Sequence, residues 1–396
     1  MEPRRPVIAF ALLLMVACGS SSAPSSADAG QPSQGDAAAD GASAASLCAF
    51  ATALSLPADP SAKGPWPVGA KSTTIHGLLT EIWYPATVGS DSGKTPISYD
   101  VRQDLPPDQA AKISDADNPL QPCDCFRDLP IDGAHGPYPL VVFIHGTAGF
   151  KTQNLDNLVH WASRGFVVMA ADHPGLSIGS FVGSGTMPQP NLPADVQSEI
   201  AAIEAASGDL AIFAQRVDPN RIGLAGHSAG GNGVAGMGAM AGVKVIIPIS
   251  ANAATTGASV TSSLYVGGTA DNVVPFTSVT SAYTKTDARA HKRLVGIAGA
   301  GHTGVTSLCG IRNSNGQSIV DVAKADGVLT GLLSTFADDL FDCASNTTPQ
   351  AEVIPIVDDA TSAVLEETLW CNASTPPAID GIQAAFPQAQ TYERAP

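Results

Sequence analysis

A serine hydroxyl attacks a carbonyl only when a base takes its proton and a carboxylate holds that base in position. The sequence supplies candidates for all three parts. Gly226-His227-Ser228-Ala229-Gly230 fits the pattern Gly-x-Ser-x-Gly, whose small flanking residues permit a tight strand-to-helix turn with the hydroxyl at its tip. Gly175-Leu176-Ser177-Ile178-Gly179 fits the same pattern, and context separates the two. Ser228 follows the apolar run Ile222 to Ala225 and precedes small residues able to start a helix, whereas the second match runs into the loop-like stretch GSFVGSGTMPQP. Ser228 is therefore the expected nucleophile and Ser177 a loop serine. Turns of this kind take their acid and base from later strand ends, in the order serine, acid, histidine. Asp271, in GGTADNVVP, is the only acidic residue between Asp218 and Asp287, and His302 stands in GAGHTG just after the next apolar run. His291 sits in a polar run and His173 precedes the serine, so both read as structural or surface histidines. A second requirement is a pair of N–H donors for the oxyanion. Ala229 is expected to supply one, and Thr147, in the loop HGTAG after Val141-Val142-Phe143-Ile144, the other, with His145 shaping that loop.

These residues need a scaffold that brings several strand ends to one place. Short apolar runs at Leu140 to Ile144, Phe166 to Ala170, Arg221 to Ala225, Val243 to Ile249, Leu264 to Gly267 and Arg293 to Ile297 read as strands, with an earlier one at Leu78 to Tyr84. Between them lie helix-like stretches at Leu155 to Ser163, Asp195 to Ala206, Ala229 to Met240 and Phe276 to Thr284, followed by Ile319 to Leu340. Asp195 is the expected N-cap of the second. This alternation predicts an α/β fold with a mostly parallel sheet flanked by helices on both faces. Two stretches interrupt it: Asp100 to Gly136, rich in Pro and Asp, and Gly175 to Pro193. Loops of this length in a compact domain usually shape a site or cover it.

The 396 residues are 44% hydrophobic and 14% charged, enough apolar content for a large core, which excludes a disordered or fibrous chain. A formal net charge of −16 repels phosphate backbones, so nucleic acid is not an expected partner. No glycine-rich phosphate loop or metal-ligand cluster points to a cofactor or a metal. Residues 1–17 carry Arg4 and Arg5 ahead of the apolar run Val7 to Val16 and read as an export signal, shorter than the ~20 residues of a membrane span. Met15-Val16-Ala17-Cys18 resembles a bacterial lipobox, which implies cleavage before Cys18 and lipid attachment at that residue, anchoring the chain to a membrane. Soluble secretion is the alternative. Residues 18–46 contain no aromatic side chain and are expected to be a flexible tether. Cys48, Cys123, Cys125, Cys309, Cys343 and Cys371 remain, and an even number in an exported chain points to disulfides. With only Asp124 between them, Cys123 and Cys125 are expected neither to bridge each other nor to clasp a metal.

From PWPVG at Pro65 through EIWYP at Glu81, HGTAG, ADHPG at Ala171, GHSAG and GAGH, the chain resembles an α/β-hydrolase, over roughly residues 60 to 345. The branch it resembles is that of platelet-activating-factor acetylhydrolase-like and dienelactone-hydrolase-like proteins, with some likeness to bacterial polyester hydrolases. Dienelactone hydrolases carry cysteine where Ser228 stands. The resemblance implies a Ser228, Asp271, His302 triad with Thr147 and Ala229 lining the oxyanion hole, hence a hydrolase of carboxylic esters, with amide hydrolysis a lesser variant. A non-catalytic cell-surface binding lipoprotein on the same scaffold is the alternative. Similar polyester hydrolases carry a disulfide where Cys309 and Cys343 stand, and such a bridge would hold the His302 loop against the helix after it. The expected organisation is a signal peptide (1–17), a lipidated cysteine and linker (18–46), a hydrolase domain (47–345) and a C-terminal extension (346–396), irregular apart from a helix at Asp359 to Trp370 and packed on the domain. The expected partner is a small-molecule, lipid or polymer ester, and the expected state a monomer.

Overall fold

The structure is a computed structural model that describes residues 47–49, 51–287 and 291–395, so the expected export signal, Cys18 and the expected tether lie outside the described residues. The strands are β1 (Val68–Ile75), β2 (Leu78–Pro85), β3 (Ser98–Asp100), β4 (Leu120–Pro122), β5 (Phe126–Arg127), β6 (Tyr138–Ile144), β7 (Val167–Ala171), β8 (Val217–His227), β9 (Val243–Ile249), β10 (Ser262–Gly268), β11 (His291–Ile297) and β12 (Ala389–Ala395). The helices that matter here are α1 (Leu155–Ser163), α2 (Leu192–Ala205), α3 (Ala229–Ala235), α4 (Phe276–Lys285), α5 (Ile319–Ala325), α6 (Leu332–Phe341) and α7 (Gln350–Leu369).

Ten strands form one sheet in the order β12-β11-β10-β9-β8-β6-β7-β2-β1-β5, while β3 and β4 pair separately. From β7 across to β11 every neighbouring pair is parallel, and β12 and β2 close that block with antiparallel pairings. The central strands are apolar at consecutive positions because both faces are covered. In β6, Val141 and Phe143 enter the cluster formed with α1 and α7, whereas Leu140, Val142 and Ile144 enter the cluster on the opposite face with Val196, Ile200 and Ile203 of α2. This is the α/β-hydrolase fold. Its chain order reverses between β6 and β8: β6 is followed by β7 on one side, and the chain then crosses back to lay β8 on the other. The loops leaving the carboxyl ends of β6 and β8 therefore diverge and open a crevice between them.

The insert from Asp100 is folded. It holds the β3–β4 pair and β5, which extends the sheet beside β1. Lys151 fastens it to the domain: its ammonium pairs with Asp104 of the insert and, at 2.8 Å, with Asp172 after β7. The second long loop contains a short helix, Ile178–Val182.

Several expectations need correction. The stretch Ile319 to Leu340 is two helices, because Gly327 and Gly331 turn the chain at φ 68° and 55° between α5 and α6. The helix after the second long loop starts at Leu192 with Asn191 as N-cap, and Asp195 instead pairs with His173 at 3.0 Å. Cys123 and Cys125 are bridged to each other: the bend at Asp124 brings their Cα atoms to 5.1 Å, within the range a disulfide spans. Cys48 is bridged to Cys371, whereas the Cys309–Cys343 bridge is the one expected. Beyond residue 346 the chain is mostly regular. α7 begins nine residues before the expected helix and buries Val353, Ile356, Val357, Ala360, Val364 and Leu365 in the central cluster, and β12 completes the sheet. The acids on α7, among them Asp358 and Glu366, mask its apolar character in the sequence. Glu366 is paired in the interior with Arg164, and Asp358 accepts from Asn157 at 2.7 Å.

Glu199 of α2 is fully buried, and neither of its carboxyl oxygens has a hydrogen-bond partner among the described residues. Burial raises its pKa from the usual 4.5 to about 7. The folded chain therefore holds that proton more tightly than the unfolded chain. The resulting stability is complete below pH ~4.5 and is lost as the pH rises through about 7. Glu199→Gln is expected to stabilise the protein by about 3 kcal/mol at pH 8.5 and by little at pH 4.5. Thermal unfolding at the two pH values checks this; an equal effect at both would contradict it.

Candidate active site

The crevice between the ends of β6 and β8 receives Ser228. β8 ends at His227, α3 starts at Ala229, and Ser228 between them holds φ 54°, ψ −118°. The flanking glycines make this turn sterically feasible. A Cβ on Gly226 would lie 2.6 Å from the Gly230 backbone, and one on Gly230 would lie 2.3 Å from the Ile144 carbonyl oxygen. The N–H of Ser228 donates to the Ile249 carbonyl at 2.8 Å, tying the turn to the end of β9.

Asp271 follows β10 and His302 follows β11. His302 Nδ1 donates to Asp271 Oδ2 at 2.9 Å, which leaves Nε2 with a free lone pair, and Nε2 lies 2.9 Å from Ser228 Oγ. The other oxygen of Asp271 accepts from the N–H groups of Val273 and Val274 at 2.9 and 2.7 Å. Both carboxylate oxygens are thus engaged, and the carboxylate cannot swing away without losing three hydrogen bonds. Ser228, Asp271 and His302 are all buried, at 7%, 5% and 1% exposure, so little water competes for these contacts.

The loop after β6 lies against the serine: a Cβ on Gly146 would be 2.8 Å from His227 Nδ1 and 3.3 Å from Ser228 Cβ. Ala148 in this loop has φ 54° and donates its N–H to the Leu176 carbonyl at 2.8 Å. The N–H groups of Thr147 and Ala229 have no acceptor among the described residues, and Thr147 lines the cleft over Ser228 and His302. His145 is enclosed, with Nδ1 donating to the Gly146 carbonyl and Nε2 accepting from the His173 N–H. Burial lowers its pKa to about 4, so it is neutral and shapes the loop. Ser177 leads the short Ile178–Val182 helix, its hydroxyl 3.3 Å from that of Ser180, and His291 starts β11 on the surface.

Two positioning residues escape a reading of the sequence. Gln153 Oε1 accepts from the Gly146 N–H at 3.1 Å, Gln153 Nε2 donates to His227 Nδ1 at 2.8 Å, and His227 Nε2 donates to the His302 carbonyl at 2.9 Å. One line of hydrogen bonds therefore joins the loop after β6, the serine turn and the histidine loop. Burial, reinforced by the neighbouring His302, drives the pKa of His227 well below the usual histidine value and keeps it neutral, as this line requires. The adjacency of His227 to Ser228 is the only sequence signal for it, and Gln153 gives none.

The His302 loop is held from its other side by chain beyond residue 340. Thr303 Oγ1 donates to the Phe341 carbonyl and touches the Cys309–Cys343 bridge, with Cys309 Sγ at 3.0 Å. Asn346 Oδ1 accepts from Gly301 N–H at 2.6 Å, and Asp342 accepts from Asn272 N–H at 3.1 Å.

Residues 121–181 match the family model of platelet-activating factor acetylhydrolase, isoform II. In that segment the chain is similar to an α/β-hydrolase family of the acetylhydrolase-like branch. The segment contains β6, the loop of Thr147, α1 and β7, and supports a serine hydrolase of carboxylic esters; Ser228, Asp271 and His302 lie outside it. No curated protein matches the chain.

Gln153→Leu removes both the acceptor for Gly146 and the donor to His227. It is expected to lower kcat for ester turnover by about 10- to 100-fold with KM nearly unchanged, because displacements of about 1 Å at the reacting groups cost on that order. Steady-state kinetics well below the unfolding temperature checks this, and an unchanged kcat would contradict the positioning role.

Proposed function

We propose that the protein is a carboxylic-ester hydrolase working through an acyl-enzyme, with Ser228 as nucleophile, His302 as general base and acid, and Asp271 as the group that orients His302. The observation that carries this reading is the unbroken line Asp271 Oδ2, His302, Ser228 Oγ, with 2.9 Å at each contact. In the first half-reaction Ser228 Oγ bonds to the ester carbonyl carbon as its proton passes to His302 Nε2. The carbonyl oxygen becomes an oxyanion facing the N–H groups of Thr147 and Ala229. The imidazolium then gives its proton to the leaving alkoxide, and the alcohol departs. Water, deprotonated by His302, releases the acid and restores the serine. Asp271 stays ionised throughout and stabilises the imidazolium.

A purely binding protein on this scaffold would have no use for a strained serine beside an oriented imidazole, with two neighbouring N–H donors that have no acceptor among the described residues. The leader and lipobox support export with Cys18 lipidated at a membrane, and no described helix is long and apolar enough to cross one.

Ser228→Ala is expected to lower kcat for p-nitrophenyl acetate by roughly a millionfold, to the limit of detection, whereas Ser177→Ala keeps most of the activity. Initial-rate assays on the two folded variants check this. Residual activity above about a percent in Ser228→Ala would contradict the assignment.

A further inference from the structure

We propose that the apolar cavity beside Ser228 is an acyl-chain site, and that the ester cleaved carries an aliphatic acyl group of several carbons rather than acetyl. This rests on the ester-hydrolase reading above and specifies its substrate class. The cavity is a partly open hollow, and every residue lining it is apolar. Protein interiors are close-packed, and an unfilled apolar void costs stability in proportion to its volume. The lining of this cavity offers neither a hydrogen-bonding side chain nor a charge, so it rewards hydrocarbon alone.

Its walls come from the parts of the chain that depart from a plain sheet-and-helix alternation. The insert contributes Val101, Leu105 and Ile113. The broken helix contributes Val320, Val322 and Ala323 of α5, and the glycine turn after α5 folds Val328 and Leu329 inward. Lys151 pins the insert in place through Asp104. The insert, which no sequence pattern explains, thus has a function as one wall of this chamber.

The cavity shares two wall residues with the cleft that holds the reacting atoms. Leu308 and Phe341 line both it and the cleft that holds Ser228 and His302. Ala148, another wall residue, directly follows Thr147, which lines the cleft with Ser228 and His302. Leu308 precedes Cys309 and Phe341 lies two residues before Cys343, so the disulfide between them fixes both residues where cavity and cleft meet.

The two halves of an ester have different fates, and this decides which half the cavity takes. The alcohol must leave and be replaced by water before the acyl-enzyme can be hydrolysed, so an enclosed chamber suits it poorly. The acyl group stays bonded to Ser228 through both half-reactions, and an apolar chamber beside the serine can hold it throughout. An acetyl group would leave the chamber empty and gain nothing from it.

The test uses the purified protein and two ester series: p-nitrophenyl esters from acetyl to octanoyl, and acetates of alcohols from ethyl to octyl. Along the acyl series kcat/KM is expected to rise about three- to fourfold per methylene until the cavity is filled, and to stay nearly flat along the alcohol series. Ala323→Trp, which fills the cavity from α5, is expected to lower the octanoyl-to-acetyl ratio of kcat/KM at least tenfold while acetyl turnover stays within about twofold. Val320→Phe applies the same block from the same helix should the first variant not fold. A preference for acetyl, a chain-length dependence that follows the alcohol, or an equal loss on both acyl lengths in a folded variant would overturn the acyl-chain site while leaving the esterase reading intact. Absence of turnover on every ester in both series would overturn the esterase reading itself, and the acyl-chain site with it.

Discussion

A serine held at φ 54° and ψ −118° lies outside the backbone regions open to ordinary residues, at a cost of about 1–3 kcal/mol. The rest of the site exists because the fold meets that cost. Gly226 and Gly230 let the turn close, the parallel pairing of β6, β8 and β9 holds both sides of it, and the Ser228 N–H is satisfied by Ile249 at the end of β9. Any larger residue at Gly230 would collide with the Ile144 carbonyl and push β6 away from the turn. Because the chain order reverses between β6 and β8, the turn faces an open crevice, and the same reversal sets the Thr147 loop on the opposite lip.

Electrostatics then separates the histidines clustered near the serine. His145 and His227 are enclosed, bonded only to uncharged groups and driven neutral by burial, so they serve as connectors. His302 alone among these three touches a carboxylate, and it alone reaches the serine hydroxyl. The line from Gly146 through Gln153 and His227 to the His302 carbonyl couples the three loops, so that the Thr147 loop, the Ser228 turn and His302 keep one geometry. On the far side, the Cys309–Cys343 bridge and Asn346 hold the histidine loop, and the bridge stands beside Leu308 and near Phe341, which line both the cleft and the apolar chamber.

What the sequence reveals here follows from how local each determinant is. The parallel strands are legible because both faces are buried and their residues are apolar in succession, and Ser228, Asp271 and His302 are legible because each stands at the end of such a run. The chain beyond residue 346 is not, because α7 carries acids whose partners, Arg164 and Asn157, lie about 200 residues away in sequence. The split between α5 and α6 depends on Gly327 and Gly331, which a helical apolar period can pass over. The Cys123–Cys125 bridge depends on a bend at Asp124 that spacing alone does not disclose. Gln153 becomes visible only once three loops are packed together, and the same holds for the chamber, whose walls come from the insert, the Thr147 loop and the chain after His302.

The central claim is that the fold activates one serine, and covalent trapping tests it most directly. A fluorophosphonate reacts with a serine whose proton is being removed and spares ordinary serines. The protein treated with one equivalent, digested and mapped by mass spectrometry, is expected to carry a single phosphonyl group on the peptide containing Ser228. Modification at Ser177 instead, or no adduct on the folded protein, would contradict the account.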